Sequence, residues 1–471
     1  MMQRHIPETQ WALLSEFIAG RIGLHFSPER RDELQRGFSR AAEEFGFNDP
    51  ATCIDWLLTA PSSRSHLDVL ASHLTIGETY FFRDKQTFDV LAQHVLPKLI
   101  NERRGRNQQL RLWSAACCSG EEAYSLAILL HQLLPDLADW HITINATDIN
   151  TQFLQKANIG IYSEWSFRNV PSWIRQRYFV RTEDGRYAII PAIKKLVTFA
   201  HLNLVEDMYP SQATNTNAMD IIFCRNVLMY FSPEQVSKVI NNLGTALVDE
   251  GWLGVSPSEV STVLFPQFIS VDFSEAILFR KKASQLEVNF KTSTFDKEPT
   301  ITTGSQAFLA HATLLYEKCC YSEVADLLLS AFSTHLLEPA GYSLLARALA
   351  NQGKLQEALA WSDRWIALDK LDAASHYLRA AILLEQGDAA QASKSLKQAI
   401  YLDPDFVLAH FALGSLARSN GRKTEAGKHY ANALRLLRNY QAHDLVPESD
   451  GLVAGSLNEY VTSLITMENL E

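Results

Sequence analysis

Asp148 follows a stretch, His141 to Thr147, in which Ile142 and Ile144 alternate with polar residues, and Ser114 to Gly120 upstream is a run of small residues. A carboxylate after the second strand of a strand–helix–strand unit can accept both hydroxyls of a ribose. A small-residue turn after the first strand lets a cofactor approach the backbone closely. Together they describe a nucleoside-binding half-fold, although an Asp in that place is, by itself, more often a helix N-cap. A second group lies in Thr75 to Lys85 (TIGETYFFRDK), where Tyr80, Phe81 and Phe82 crowd against Arg83. A guanidinium beside aromatic rings can stack on them and still offer a planar fork to a carboxylate; the plainer reading is a structural salt bridge at the edge of a core. The third group is Arg225, Asn226 and Tyr230, after the apolar run Asp220 to Cys224. Tyr230 fits a pocket wall or a packed aromatic equally well.

The elements that must position these groups are legible from periodicity. Leu110 to Trp113 has strand length, and Glu121 to Leu134 carries Ala123, Leu126, Ala127, Leu130, Leu133 and Leu134 at helical spacing. Further strands are expected at Leu196 to Leu204, with Asn203 near its end, and at Asp220 to Cys224, Gly251 to Val255 and Ala276 to Arg280. Helices are expected at Gln86 to Ile100, at Asn150 to Asn158 and after Ser232-Pro233-Glu234, with a short hairpin over Tyr178 to Ile190. Such alternation implies a mostly parallel sheet with helices on both faces. Residues 1–75 read instead as small helices; one starts at Ser27-Pro28-Glu29 and carries Arg30, Arg31, Arg36 and Arg40 among acids. That helix is either a docking face for an acidic partner or, more simply, a solvated mixed-charge face.

Composition narrows the function classes. A chain of 471 residues exceeds a single hydrophobic core, so two or three domains are expected. The net charge of −10 argues against a protein built to hold nucleic acid. Two adjacent cysteine pairs and no CxxC argue against a zinc site or a disulfide framework, so no metal is expected and the thiols read as reduced. No signal-like start and no bilayer-length apolar run are present, so the expected place is the cytoplasm, without membrane insertion.

The combination of TIGETYFFRD, LWSAACCSGEEAYSLA, ATDIN, FAHLNL and FCRNVLMYF, in that order, resembles the chemotaxis receptor methyltransferases of the CheR family. The resemblance spans roughly residues 10 to 282. It implies a Rossmann-like α/β methyltransferase fold that moves a methyl group from S-adenosylmethionine to receptor glutamates, leaving S-adenosylhomocysteine and a glutamate methyl ester. Matched by motif, Gly77, Thr79 and Arg83 would lie beside the cofactor, Arg83 nearest the chemistry, with Tyr230 in the same pocket. Glu122, the second of the paired glutamates, would take the methionyl amino group, and Asp148 the ribose. Asn203 with Leu204, and Asn226 with Val227, would flank the adenine and the central sulfonium region. The partner implied is the cytoplasmic domain of a methyl-accepting chemoreceptor. Members that tether to a receptor's C-terminal peptide carry a glycine-rich loop in an inserted β-subdomain; here the matching stretch, Val180 to Ile190, is shorter and has only Gly185, so activity independent of a tether is expected.

Ala283 to Ser305 is polar, rich in Thr and Ser and without period, which reads as a linker. Beyond it Gly353, Gly387 and Gly421 recur at a 34-residue interval, as do Ala358, Ala392 and Ala426, and Tyr342, His376 and His410. This register resembles tetratricopeptide repeats, solenoids that offer a groove to a peptide or protein. The expected organisation is a helical N-terminal domain (1–75), a methyltransferase domain (76–282) with a small β insertion near 178–195, the linker (283–305), all-α repeats (306–442) and a capping segment (443–471). Cys319 would stand at the glycine position of a degenerate first repeat. An enzyme with a recruiting module is the leading expectation, similar in arrangement to surface-sensing, biofilm-linked chemosensory pathways. The alternatives are a cofactor-binding scaffold without turnover and a methyltransferase for nucleic acids or small molecules.

Overall fold

The computed structural model describes residues 6–59, 63–205, 209–211, 214–261, 264–273, 276–282, 301–317, 320–334, 339–449 and 451–468. The chain folds as two compact units, one of residues 1–209, 219–247 and 251–281, the other of 210–218, 248–250 and 282–471.

The first unit is organised by ten strands: β1 (Gln109–Ala115), β2 (His141–Asp148), β3 (Ile161–Tyr162), β4 (Phe179–Arg181), β5 (Tyr187–Ile189), β6 (Val197–His201), β7 (Met219–Cys224), β8 (Leu247–Gly254), β9 (Phe268–Asp272) and β10 (Ile277–Lys281). Seven form one sheet in the order β6-β2-β1-β7-β8-β10-β9. β1 pairs in parallel with β2 and β7, and β10 runs antiparallel between β8 and β9. Every residue of β1 and β7 is buried; β7 therefore reads as a dense apolar run without alternation, while β1 buries Gln109, Arg111 and Ser114 among its apolar residues. The chain leaves β1 on the side of β2 and β6 and returns on the other side at β7. The strand order therefore reverses at β1, and the carboxyl ends there form the crevice where such sheets bind ligands.

Several elements differ from the sequence expectation: strand β3 and the helices Ser172–Tyr178 and Pro191–Lys194 are additions to it, and two further cases have a clear form. The helix expected over Gln86 to Ile100 is helical over Lys85–Val90 and Leu96–Arg103, with a π-turn at Leu91–Val95 between. Pro97 explains it: proline has no N–H to give and its ring crowds the carbonyl four residues back, so the preceding turn widens. Strand β9 has no counterpart in the sequence expectation. It is an edge strand, mostly exposed outside Phe268.

Four helices, Glu8–Ile22, Arg31–Glu44, Pro50–Thr59 and Arg64–Leu74, enclose an N-terminal core of Trp11, Leu14, Ile18, Phe38, Ile54, Leu57 and Leu70. They join the sheet through a bridge between Leu24 and Phe231 and a 2.7 Å bond from the His25 N–H to the Tyr230 carbonyl. A three-stranded sheet in the order β3-β5-β4 forms the small insertion.

Beyond residue 300 the described regular elements of the second unit are all helices. The pairs Pro339–Asn351/Leu355–Leu368, Ala373–Glu385/Ala389–Leu402 and Val407–Ser419/Lys423–Leu437 carry the repeat register. Gly353, Gly387 and Gly421 sit at φ 74°, 82° and 71°, a left-handed turn that only glycine adopts without strain. Ala358, Ala392 and Ala426 are fully buried where the helices close on one another. Residues 283–300 of the expected linker, and Cys319, lie outside the described residues; residues 301–305, expected as linker, belong instead to helix Ile301–Glu317, and helix Ala454–Glu468 is the last described element. Among the described residues no helix is long and apolar enough to cross a membrane.

Candidate active site

The carboxyl ends of β1, β2, β6 and β7 open onto a cavity of about 710 Å³, its mouth included. Asp148, Asn203, Leu204, Asn226, Val227 and Tyr230 line it, joined by Ala116, Cys118 and Phe153. The N-terminal part closes one side with Leu24, Arg30 and Leu74. Five non-glycine residues around these strand ends hold left-handed φ angles: Phe82 (54°), Asp84 (53°), Ala116 (59°), Cys118 (52°) and Asn226 (57°). Such backbone is costly, persists only where the surroundings impose it, and clusters at ligand sites.

Asp148 ends β2 and is 7 % exposed. It is not a helix cap: Asn150 caps the following helix, its side chain accepting from the Gln152 and Phe153 N–H groups. The Asp148 carboxylate instead receives the backbone N–H groups of Cys118 and Asn150, each at 2.8 Å, which ties the β1 turn to the end of β2. A carboxylate has about four acceptor sites, so it keeps capacity for a hydroxyl donor. Burial raises its pKa to about 6, against the pull of its backbone donors. Because this lies above the ordinary 3.8, the group by itself favours folding below about pH 4, and that contribution is lost as pH rises through 6. A hydroxyl donor favours the anion, so binding runs the opposite way. Affinity for S-adenosylhomocysteine is expected to be full above pH 7 and to decline below about pH 6, with the inflection absent in Asp148→Asn. Calorimetric titrations at a series of pH values measure it.

Asn203 donates from Nδ2 to the Arg21 carbonyl at 2.7 Å, and its Oδ1 accepts the Val205 N–H at 3.2 Å. Its side chain thus pins the turn after β6 to the first helix. Tyr230 presents its ring to Arg30, whose Cζ lies 5.2 Å from the centroid.

Glu122 sits beneath the β1 turn. It accepts from Ser114 Oγ at 2.7 Å and pairs with Arg225 Nη1 at 3.2 Å. Burial raises its pKa, and Arg225 is the main influence pulling it back down. Glu121 turns elsewhere, toward Ser119 and Ser166, and is also raised by burial. The two adjacent glutamates therefore have separate surroundings, and Glu122 is the one in an ion pair with the buried Arg225. The sequence sets Arg225 beside Asn226 and Tyr230 but gives it no partner. Its side chain, 2 % exposed, bridges Glu122 and Asp84 and donates to the Arg83 carbonyl at 2.8 Å. An arginine directly after six residues of buried strand was the available signal.

Arg83, Thr79 and Gly77 stand apart from the residues lining the cavity. Arg83 Nη1 donates to the Glu78 carbonyl at 2.6 Å, and its Cζ is 5.9 Å from the Tyr80 ring centre. The closer stacking partner of Tyr80 is Arg168, at 3.8 Å, which also pairs with Glu78. Thr79 is half-buried. Gly77 is exposed, yet a Cβ there would come within 2.6 Å of the Phe153 ring. Gly77→Ala is therefore expected to push Phe153 toward the cavity and weaken S-adenosylhomocysteine binding several-fold. Calorimetry on the variant, beside an unchanged unfolding midpoint, checks it.

The residues fit an S-adenosyl group by the chemistry of their donor set: a buried carboxylate with spare acceptor capacity, a second carboxylate in the first turn of the helix after β1, and apolar walls of Leu204, Val227 and Phe153. Comparison with known proteins agrees. Residues 77–274 match the family described as CheR methyltransferase, SAM binding domain, and residues 377–441 match a tetratricopeptide repeat family. The chain is 36% identical over 283 residues to a chemotaxis protein methyltransferase of Vibrio parahaemolyticus, covering 59% of this chain and 98% of that one. It is 37% identical over 220 residues to chemotaxis protein methyltransferase 1 of Pseudomonas aeruginosa, covering 46% and 77% respectively. A similar protein from Borreliella burgdorferi is 28% identical over 257 residues, 54% of this chain and 89% of that one. With its nucleoside-type crevice at the reversal of the sheet and a 34-residue helical register beyond it, the chain belongs to the CheR methyltransferase family and carries C-terminal tetratricopeptide repeats.

Proposed function

We propose that this methyltransferase moves the methyl group of S-adenosylmethionine to glutamate side chains of a chemoreceptor's cytoplasmic domain, giving methyl esters, and that its repeats recruit a protein partner. The observation that carries the reading is the convergence of Asp148, Asn203, Leu204, Asn226, Val227 and Tyr230 on one cavity from three separate strand ends. When bound, S-adenosylmethionine supplies an electrophilic methyl on a sulfonium cation. Asp148 would hold the ribose and Glu122 the amino group, with Leu204 and Val227 against the adenine. Gly77 and Thr79 would border the same group.

A glutamate acceptor explains why no proton-abstracting base is required. Its carboxylate, with an ordinary pKa of about 4.3, is already ionised at neutral pH. Opposite charges cancel along such a transfer, so a drier site favours it and the protein's main task is in-line placement. Arg83 would orient the incoming carboxylate through a charge-assisted fork, and the Tyr230 hydroxyl would line the same path.

The test is incubation of the full chain with methyl-labelled S-adenosylmethionine and a receptor cytoplasmic domain. Label on the receptor that is released by mild base as methanol is the expected result, since methyl esters hydrolyse readily. Label that resists base, or none on the receptor, rejects glutamate as the acceptor.

A further inference from the structure

Glu259 lies outside the cavity and takes no part in the chemistry described above, yet it is 7 % exposed and its carboxylate is crowded with donors. Oε2 accepts the Asn226 N–H at 2.8 Å, the Ser256 N–H at 3.1 Å and the Ser256 hydroxyl at 2.6 Å. Oε1 accepts the Val227 N–H at 2.8 Å and the Met229 N–H at 3.3 Å. Three of these donors belong to the loop after β7, which carries Asn226, Val227 and Tyr230 into the cavity. The other two belong to the start of its own turn, Pro257–Glu259, where Ser256 and Glu259 form a capping box.

That loop needs an anchor. Asn226 is held at φ 57°, a conformation that non-glycine side chains rarely adopt, so its backbone would relax unless held. Three of the loop's N–H groups converge on the buried Glu259 carboxylate, where an unpaired donor is costly. A carboxylate is the side chain suited to gather several N–H donors at once, because it accepts at both oxygens and donates nothing when ionised. On its other side the loop is held at its end by the N-terminal part, through the His25 N–H on the Tyr230 carbonyl.

We infer that Glu259 is a positioning residue of the methyltransferase site: its carboxylate fixes the strained Asn226–Tyr230 loop in the shape that the cofactor requires. The inference rests on the cofactor site proposed above. A carboxamide keeps the size of the side chain but turns a donor toward facing N–H groups, so it cannot hold both ends of the array.

Glu259→Gln in the full chain is the test. Hydrogen exchange at the Asn226, Val227 and Met229 amides is expected to quicken at least about tenfold, with the amides of β1 and β2 unchanged. Calorimetric Kd for S-adenosylhomocysteine is expected to rise about tenfold. In methyl transfer, KM for S-adenosylmethionine should rise by a similar factor while kcat at saturation falls less than about threefold. A role in general stability alone would instead quicken exchange across the sheet and leave the KM of the folded fraction unchanged. A folded variant with wild-type exchange at these three amides, or with wild-type affinity, overturns the inference. If Glu259→Gln does not fold, Ser256→Ala decides: it removes one donor, leaves the carboxylate free to shift, and should change local exchange and Kd about two- to threefold, no change being the overturning result. Failure of the wild-type chain to bind S-adenosylhomocysteine would reject the cofactor reading itself, and is seen before any variant is compared.

Discussion

Arg225→Met is expected to lower the unfolding free energy by about 3–5 kcal/mol, the usual cost of removing one partner from a buried ion pair. Arg225 is the buried cation between Glu122 and Asp84, and it also holds the Arg83 carbonyl. Without it, Glu122 keeps the burial that raises its pKa and loses the charge that opposes the rise. The remaining carboxylate then either stays charged at a cost or takes up a proton. Urea unfolding of the variant measures the loss. The double variant Arg225→Met/Glu122→Gln is expected to lose clearly less than the two single losses combined, because the second change removes the stranded charge. An unfolding midpoint equal to that of the wild type would show that the pair contributes nothing to stability.

Arg83→Ala is expected to lower kcat for receptor methylation about a hundredfold, the typical loss on removing an oriented charge partner from a reacting group. Cofactor affinity should change far less, because Arg83 lies outside the cavity that holds the proposed ribose and adenine partners. Arg83→Lys should recover only part of the rate, since an ammonium supplies a point charge and not a fork. The bond from the Arg83 fork to the Glu78 carbonyl makes a structural role testable alongside. Normal turnover in the alanine variant, or its simple failure to fold, would favour the salt-bridge or packing role over the reaction. Steady-state rates with labelled cofactor, together with a thermal unfolding curve, separate the two.

How much of the molecule is legible in its sequence depends on the range of the information. Strand β1, the small-residue turn, helix Glu121–Leu133 and Asp148 are contiguous, so apolar spacing and residue size are enough to mark them as a nucleoside-type unit. The repeat register is equally plain, because each glycine and alanine answers a local demand that returns every 34 residues: a left-handed turn and a close helix crossing. Loss of alternation in β7 follows from burial on both faces and is visible as density of apolar residues. Periodicity says nothing, however, about which distant side chains meet. Arg225 finds Glu122 across 103 residues and Asp84 across 141, and Glu259 reaches Asn226 across 33. Those partners meet because β7 lies beside β1 and β8 beside β7, an order set by how the crossovers pack. The edge strand β9 belongs to the same class, since its pairing depends on a neighbour in space, whereas the widened turn before Pro97 is local and its signal was the proline itself. Residue types and spacing therefore marked a nucleoside-type unit and most of the elements that carry it, and the resemblance of five motifs supplied the family of chemistry. Which buried charges balance one another, and which carboxylate grips the loop, came only with the packed sheet, because a charge in a dry interior answers to what surrounds it and not to what precedes it in the chain.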